Sequence, residues 1–233
     1  MIDADWSSEC GTIQLWNRDC RELPELLSLA DAVVSDPPYG MNWNTDGSRY
    51  TRGGNKKEGR VWSKIEGDSE PFNPEPWLEC EKVILWGSNH FSQRLPVGTT
   101  LVWIKKTDSQ FGCFLSDAEL AWMSEGHGVY CFRDTSMHHP NVKDRVHPTQ
   151  KPIGLMRWCL EKLKLQPGMT VFDPYSGSGT TAIAAHSLGI NFVGCEISPE
   201  FFKASVKRIS KRIGERVEVQ GGLYQGSLFG GNN

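Results

Sequence analysis

The stretch Ser35-Asp36-Pro37-Pro38-Tyr39-Gly40 sets a carboxylate, two ring-locked residues and a flat phenol side by side. The prolines fix φ, so the Asp36 carboxylate and the Pro37 carbonyl can be held in one orientation. Two acceptors held that way can bind the N–H groups of an exocyclic amino nitrogen, whose lone pair is otherwise delocalised into its ring. They favour a more pyramidal and more available lone pair. Tyr39 adds a face on which a base taken out of a duplex can stack. Taken alone, the same residues equally suit a stiff turn with a surface acid.

A second group runs Phe172-Asp173-Pro174-Tyr175-Ser176-Gly177-Ser178-Gly179-Thr180-Thr181-Ala182. Gly177-x-Gly179-x-x-Ala182 fits a nucleotide-binding turn between a strand and a helix, where glycines let the backbone approach a ligand. No Gly-Lys-Ser/Thr follows, so it is not a phosphate-binding P-loop. Glu196 ends the next apolar stretch, where an acid can accept hydrogen bonds from ribose hydroxyls.

These groups need strands and helices to position them. Gly11 to Trp16 reads as a strand, followed by a short helix around Arg21 to Ala30. Asp31 to Ser35 is an apolar strand ending at Asp36, and Lys82 to Trp86 is another, followed by a helix near Asn89 to Leu95. Thr100 to Ile104 is a further strand. Pro152 to Lys164 reads as a helix with Ile153, Met156, Leu160 and Leu163 on one face. Met169 to Asp173 and Asn191 to Cys195 are strands, separated by a helix through about Leu188. Ser198-Pro199 opens a last helix as N-cap and N1, with Phe202, Val206, Ile209 and Ile213 along its apolar face. This alternation implies a doubly wound α/β fold, a mostly parallel sheet covered on both faces. In such sheets ligands bind at the C-terminal edge of the strands, where Asp36, Gly177 and Glu196 all fall. Gly40 to Asp68 is too polar for a core and reads as a long mobile loop. Lys105 to His147 reads as irregular.

A chain of 233 residues suits one sizeable domain. It holds no apolar run of membrane-spanning length, and Met1 to Cys10 lacks the apolar core of a signal peptide, so a cytoplasmic location is the expectation. The seven cysteines are scattered and form no C-x-x-C pair, which argues against a disulfide framework or a zinc site. The net charge of -3 makes no global case for nucleic acid. Arg49 to Lys64, however, carries six basic residues and one acid.

The two motifs, in this order, resemble the amino-group-specific (N6-adenine or N4-cytosine) DNA methyltransferases that use S-adenosylmethionine (SAM). His147-Pro148-Thr149-Gln150-Lys151-Pro152 is similar to a third block of that family. Leu85-Trp86-Gly87-Ser88-Asn89-His90-Phe91 and Leu101-Val102-Trp103-Ile104-Lys105 are similar to its core. The catalytic block precedes the SAM block, as in the β subclass, so the resemblance implies a circularly permuted class I (Rossmann-like) methyltransferase fold with neighbouring termini. It implies that Asp36, Pro37, Pro38 and Tyr39 hold and activate a flipped base. Asp36 also falls in the implied SAM site, with Asp173, Pro174, Tyr175, Gly177, Ser178, Gly179 and Thr180 of the turn. Glu196 would take the ribose hydroxyls and Asp19 the cofactor's adenine, with Thr149 and Lys151 near the methionine carboxylate. No metal is needed. The implied partner is double-stranded DNA, with a homodimer left open and no membrane. The implied setting is bacterial or phage-encoded DNA modification, with or without a restriction partner.

An Asp at the head of the first block leans towards adenine N6, since the cytosine group more often carries Ser there. Cytosine N4 methylation by the same site is the alternative, and from another class, a catalytically silent SAM- or DNA-binding regulator. Asp36 argues against a protein-glutamine substrate, whose block usually begins with Asn. Tyr175 departs from the family's usual Phe, and the chain leaves little room for a large recognition domain. Residues 105–147 are the candidate recognition insertion, and Trp43 is the loop aromatic expected to contact a base or close the pocket. The 49–64 patch suits a clamp on DNA phosphates, a cover over the flipped base, or a solvated loop. His138 and His139 have no further ligand at a matching spacing. The basic side of the last helix (Lys203, Lys207, Arg208, Lys211, Arg212) reads as a solvated face.

Overall fold

The computed structural model describes residues 2–44, 62–113, 116–138 and 144–215. Among these, nine strands form one sheet: β1 (Trp6–Ser7), β2 (Ile13–Trp16), β3 (Ala32–Ser35), β4 (Val83–Trp86), β5 (Thr99–Ile104), β6 (Ala118–Met123), β7 (Val129–Arg133), β8 (Thr170–Asp173) and β9 (Asn191–Cys195). Their order is β1-β2-β9-β8-β3-β4-β6-β5-β7. The run from β2 to β4 is parallel throughout. Next to it β6 is antiparallel to both β4 and β5. At the edges β7 runs parallel to β5, and β1 antiparallel to β2.

Every residue of β3 and β4 is buried, which is why these strands read as unbroken apolar runs. Their alternate side chains feed two cores. Val34, Ile84, Val171 and Phe192 pack under α1 (Ile153–Lys162), α2 (Thr180–Ser187) and α3 (Pro199–Ile213). Val33, Val83, Leu85 and Phe172 pack against Leu23, Leu26, Phe72, Trp77 and Phe91. Both faces are therefore covered, but the second is covered by short 3-10 turns. The helix expected over 21–30 is two such turns, Cys20–Glu22 and Pro24–Leu29, divided at Pro24. The helix expected over 89–95 is likewise Ser88–His90 and Ser92–Arg94. Neither stretch is long enough to sustain an α-helix without a broad apolar face.

α3 begins as its sequence requires: the Ser198 side chain accepts from the Phe201 amide, Pro199 follows, and Gly214 ends the helix at φ 81°. Strand β9, late in the chain, lies beside β2, early in the chain. The Glu9 amide donates to the Glu215 carboxylate at 3.0 Å, which joins the first described segment to the end of α3; the last residues of the chain lie outside those described.

The reading of 105–147 as irregular is overturned, because this stretch supplies β6 and β7 to the central sheet. Neither has a clear alternating pattern: β6 is only part-buried in its first half and β7 is largely exposed. Of the expected 40–68 loop, 45–61 lies outside the described residues, as does most of the basic patch. No helix among the described residues is long and apolar enough to cross a membrane.

Candidate active site

Asp36 follows β3, Gly87 follows β4, the glycine turn follows β8 and Glu196 follows β9. They converge on one edge of the sheet, in a cleft of ≈ 1610 Å³ that also takes in Asp19, Tyr39, Trp43, Phe72, His147 and Lys151. A small adjoining recess of ≈ 40 Å³ is lined by Asp36, Thr149, Lys151, Asp173, Ser176, Ser178 and Thr180 among others.

On one side of the cleft Tyr39 donates from its hydroxyl to Asp36 Oδ1. Its ring stacks with exposed His90, centroids 4.8 Å apart and 11° from coplanar. The ring lies over Gly87, which sits at φ 76°, and any β-carbon there would overlap it. Asp36 Oδ2 meets Lys151 Nζ at 2.5 Å. That ammonium also lies 3.0 Å from Glu119 Oε2, and Glu119 Oε1 accepts from Lys105 Nζ at 2.9 Å. Burial raises the Asp36 pKa, an effect Lys151 opposes and Glu119 reinforces. Burial also opposes ionisation of Glu119, but Lys151 and Lys105 outweigh it and bring its pKa down to about 2. Lys151 would be depressed by burial, yet its two carboxylates raise it. Lys151 thus has a carboxylate on either side, and Glu119 has an amine on either side.

Asp68 fixes the chain beyond Tyr39. Its carboxylate accepts from the amides of Gly40 (2.9 Å), Met41 (3.1 Å) and Trp43 (2.7 Å). Trp43 and Trp62 both line the cleft, one from each end of the polar stretch.

On the other side the glycine turn is braced from below. Asp173 is buried, accepting from Ser35 (2.6 Å), Thr181 (2.7 Å) and the Tyr175 amide (3.2 Å). Burial lifts its pKa to about 6 against those bonds. Thr180 Oγ1 sits 2.8 Å from Ser178 Oγ. Arg208 of α3 donates to the Ser178 carbonyl at 2.8 Å and to Thr180 Oγ1 at 3.0 Å, and lies 3.4 Å from Asp144. The solvated-face reading therefore fails at Arg208, which is buried, while Lys203, Lys207, Lys211 and Arg212 are exposed. Gly179, at φ 69°, lets α2 pack on α3: a β-carbon there would lie 2.6 Å from Ile209 Cδ1.

Glu196 faces the cleft and accepts one amide on each oxygen, Gly177 at 2.9 Å and Ser198 at 2.8 Å. Burial lifts its pKa to about 7. Thr149 Oγ1 lies 3.1 Å from His147 Nδ1, and burial drops the His147 pKa to about 3, so that ring is neutral. Tyr175 meets Phe72 and Trp77 edge-on at 5.9 Å and 6.0 Å, giving an aromatic wall beside Asp19. Asp19 itself caps the Cys20–Glu22 turn and pairs with Arg21, which lowers its pKa. All of the expected site residues except Gly179 line the cleft or its recess, and Gly179 sits in the same turn facing Ile209 of α3. The structure adds Glu119, Lys105, Asp68, Asp144 and Arg208, whose roles depend on pairings far apart in the chain. His139 lies outside the described residues, and no metal-binding cluster is found among those described.

A family model of DNA methylases of the N6/N4 type matches residues 44–207, more than two thirds of the chain. The matched range holds the glycine turn and Lys151 and begins after Asp36–Tyr39. The type II methyltransferase M2.LlaDCHI of Lactococcus lactis subsp. cremoris is 27% identical over 143 residues, 60% of this chain and 48% of that protein. YubD of Escherichia coli (strain K12) is 31% identical over 84 residues, 36% of this chain and 34% of that protein. The chain thus spans less than half the length of the curated relatives it matches. Among solved structures, M1.HpyAVI in complex with SAM has a TM-score of 0.52 at 20% identity, over 84% of this chain and 98% of that one. The cytosine-N4-specific PvuII DNA methyltransferase has a TM-score of 0.55 at 13% identity, over 91% and 93%. These likenesses show the class I methyltransferase fold. The family match, over residues 44–207, establishes that this chain is a member of the N6/N4 DNA methylase family.

Proposed function

We propose that this chain transfers the methyl group of SAM to the N6 amino group of adenine in DNA, at a specific sequence. The observation that carries the reading is Asp36 itself: a carboxylate at the end of β3, bonded to Tyr39, opening into the same cleft as the glycine turn and Glu196.

The residues present fit SAM. Each Glu196 oxygen has one amide donor and one lone pair left for a ribose hydroxyl. Ser176 Oγ, buried in the small recess, has no hydrogen-bond partner among the described residues. Phe72, Trp77 and Tyr175 offer an apolar wall for an adenine beside Asp19. Gly177 and Gly179 would bring backbone to the cofactor, with Thr149 and Lys151 at the methionine end. Bound there, SAM supplies an electrophilic methyl group that needs no metal, only in-line positioning.

The chain's own residues then act on the base. Asp36 and the Pro37 carbonyl accept the N–H bonds of the target amino group and favour its lone pair. Asp36 is the nearest acceptor for the proton that the amino group must lose. His90 is exposed and holds the stacking contact with Tyr39, so it stands where an extruded base would stack. Residues 105–147 outside β6 and β7, with Trp43 and Trp62, are the surface proposed to read the DNA. Asp at the head of the block favours adenine over cytosine.

The test is nucleoside mass spectrometry on DNA from cells without methyltransferases of their own, expressing this chain or Asp36→Ala. N6-methyladenine that vanishes in the variant is expected. N4-methylcytosine would overturn the base assignment. No modified base, from a protein that binds SAM, would overturn catalysis on DNA and favour a silent regulator.

A further inference from the structure

We propose that Glu119, on the reversed strand β6, is a positioning residue that receives the Lys151 ammonium when Asp36 turns to the target amino group. The inference rests on the methyltransferase reading and adds a residue to it.

Both oxygens of Asp36 are engaged: Tyr39 donates to Oδ1, and Lys151 Nζ lies 2.5 Å from Oδ2. An acceptor held by an ammonium is a poor one for a weakly acidic amino N–H, so the pair must loosen for the site to work. Lys151 is only 5% exposed at its side chain, and a buried ammonium stripped of its partner is strongly disfavoured. Asp36 is therefore most easily released where an anion of the chain itself stands within reach of the same ammonium.

Glu119 is that anion. Its Oε2 is buried, lies 3.0 Å from Lys151 Nζ, and accepts no well-aligned hydrogen bond among the described residues. Its other oxygen is held by Lys105 at 2.9 Å, which anchors the carboxylate with Oε2 within 3.0 Å of Lys151. A small shift of Nζ from one carboxylate to the other strengthens Asp36 as an acceptor without leaving the ammonium uncompensated. Glu119 lies two residues beyond the β4–β6 ladder, which ends at Trp86 opposite Ala121, and pairs with Trp103 of β5. Trp86, on β4, lines the same place, with its ring 5.9 Å from the ammonium.

The test measures kcat for DNA methylation, KM for DNA and Kd for SAM in wild type, Glu119→Gln and Glu119→Asp. Glu119→Gln keeps the shape and removes the charge. It should lower kcat at least tenfold while Kd for SAM stays within about twofold. Glu119→Asp keeps the charge and should recover a large part of kcat. If Glu119→Gln does not fold, Lys105→Gln, which frees Glu119 from its anchor, should lower kcat several-fold at unchanged SAM affinity. A Glu119→Gln enzyme with wild-type kcat would overturn the inference. So would equal losses in the Gln and Asp variants, or a loss that appears only in SAM affinity. A wild type that methylates no DNA fails the underlying reading instead, before any variant is compared.

Discussion

Around Asp36 the cleft is lined by alternating side-chain charges, whereas around Gly177 it is lined by backbone amides, the Glu196 carboxyl and polar side chains that bond inward. Asp36, Lys151, Glu119 and Lys105 form an alternating chain of charges drawn from three strand ends and the segment before α1. Asp173, Ser178 and Thr180 instead bond to Ser35, Thr181 and Arg208 and shape the turn from below. The first half can change its hydrogen bonding by moving one ammonium. The second is rigid, as a site for a constant cofactor can be, while the first must respond to a base that arrives and leaves.

The largest effect should come from breaking the charged half. Asp36→Ala removes the acceptor, and kcat should fall about 10²–10⁴-fold. Kd for SAM should change little, since Lys151 keeps Glu119. A parallel collapse of SAM binding, measured by calorimetry, would show that the halves are not separable.

Two glycines sharpen the same contrast. A β-carbon at Gly87 overlaps the Tyr39 ring, so Gly87→Ala should displace it and cost about 10²-fold in kcat at unchanged SAM affinity. Gly179→Ala meets Ile209 and a left-handed backbone, so it should cost about 1–2 kcal/mol of stability and weaken SAM. Kinetics at saturating SAM with thermal melts would distinguish them. A Gly179→Ala enzyme that binds SAM normally but turns over slowly would reverse the assignment of the two sides.

Glu196 gives the cofactor half a pH signature. Its pKa stands at about 7 because of burial, and the proposed bonds to ribose hydroxyls need the ionised carboxylate. Kd for SAM should therefore be flat above pH 7 and rise towards tenfold per unit below it, and Glu196→Gln should lose that slope. The stability of the ligand-free protein runs the other way. A carboxyl whose pKa is raised on folding stabilises fully below its unfolded value, near 4.5, and that contribution fades as pH rises through 7. Wild type minus Glu196→Gln should show this slope, worth about 3 kcal/mol in total.

How much of this was legible depended on how local its cause was. β3, β4, β8 and β9 are short apolar runs ending in Asp, Gly or Glu, and α3 carries its cap and stop in its own residues. The site motifs sit at those strand ends, so they were found with the strands. β6 and β7 were missed because their order is set by pairing across the sheet: β6 slots between β4 and β5 although it follows both in the chain. Glu119 was invisible for the same reason, as was Asp68, which gathers amides 25 to 28 residues away. Arg208 looked like one cation among several on α3. Only the packing of α3 on the glycine turn turns it inward, and nothing in its spacing separates it from Lys207 or Lys211.

Arg208 also sets the smallest and most discriminating test. Arg208→Met keeps much of the apolar stem and removes the guanidinium. The Ser178 carbonyl and Thr180 hydroxyl lose a donor, but Asp144 keeps Arg212 at 2.5 Å, so no bare charge is left behind. A lost charge-assisted hydrogen bond is worth about 2 kcal/mol, or roughly 4–8 °C in Tm for a domain of this size. Because the turn is braced and not directly lined by Arg208, SAM affinity should fall only about three- to tenfold. With SAM saturating, kcat should match wild type, since nothing between Lys105 and Asp36 has moved. A kcat loss that persists at saturating SAM would mean that α3 reaches the target amino group through the turn, and that the cofactor half is not the rigid support the geometry describes.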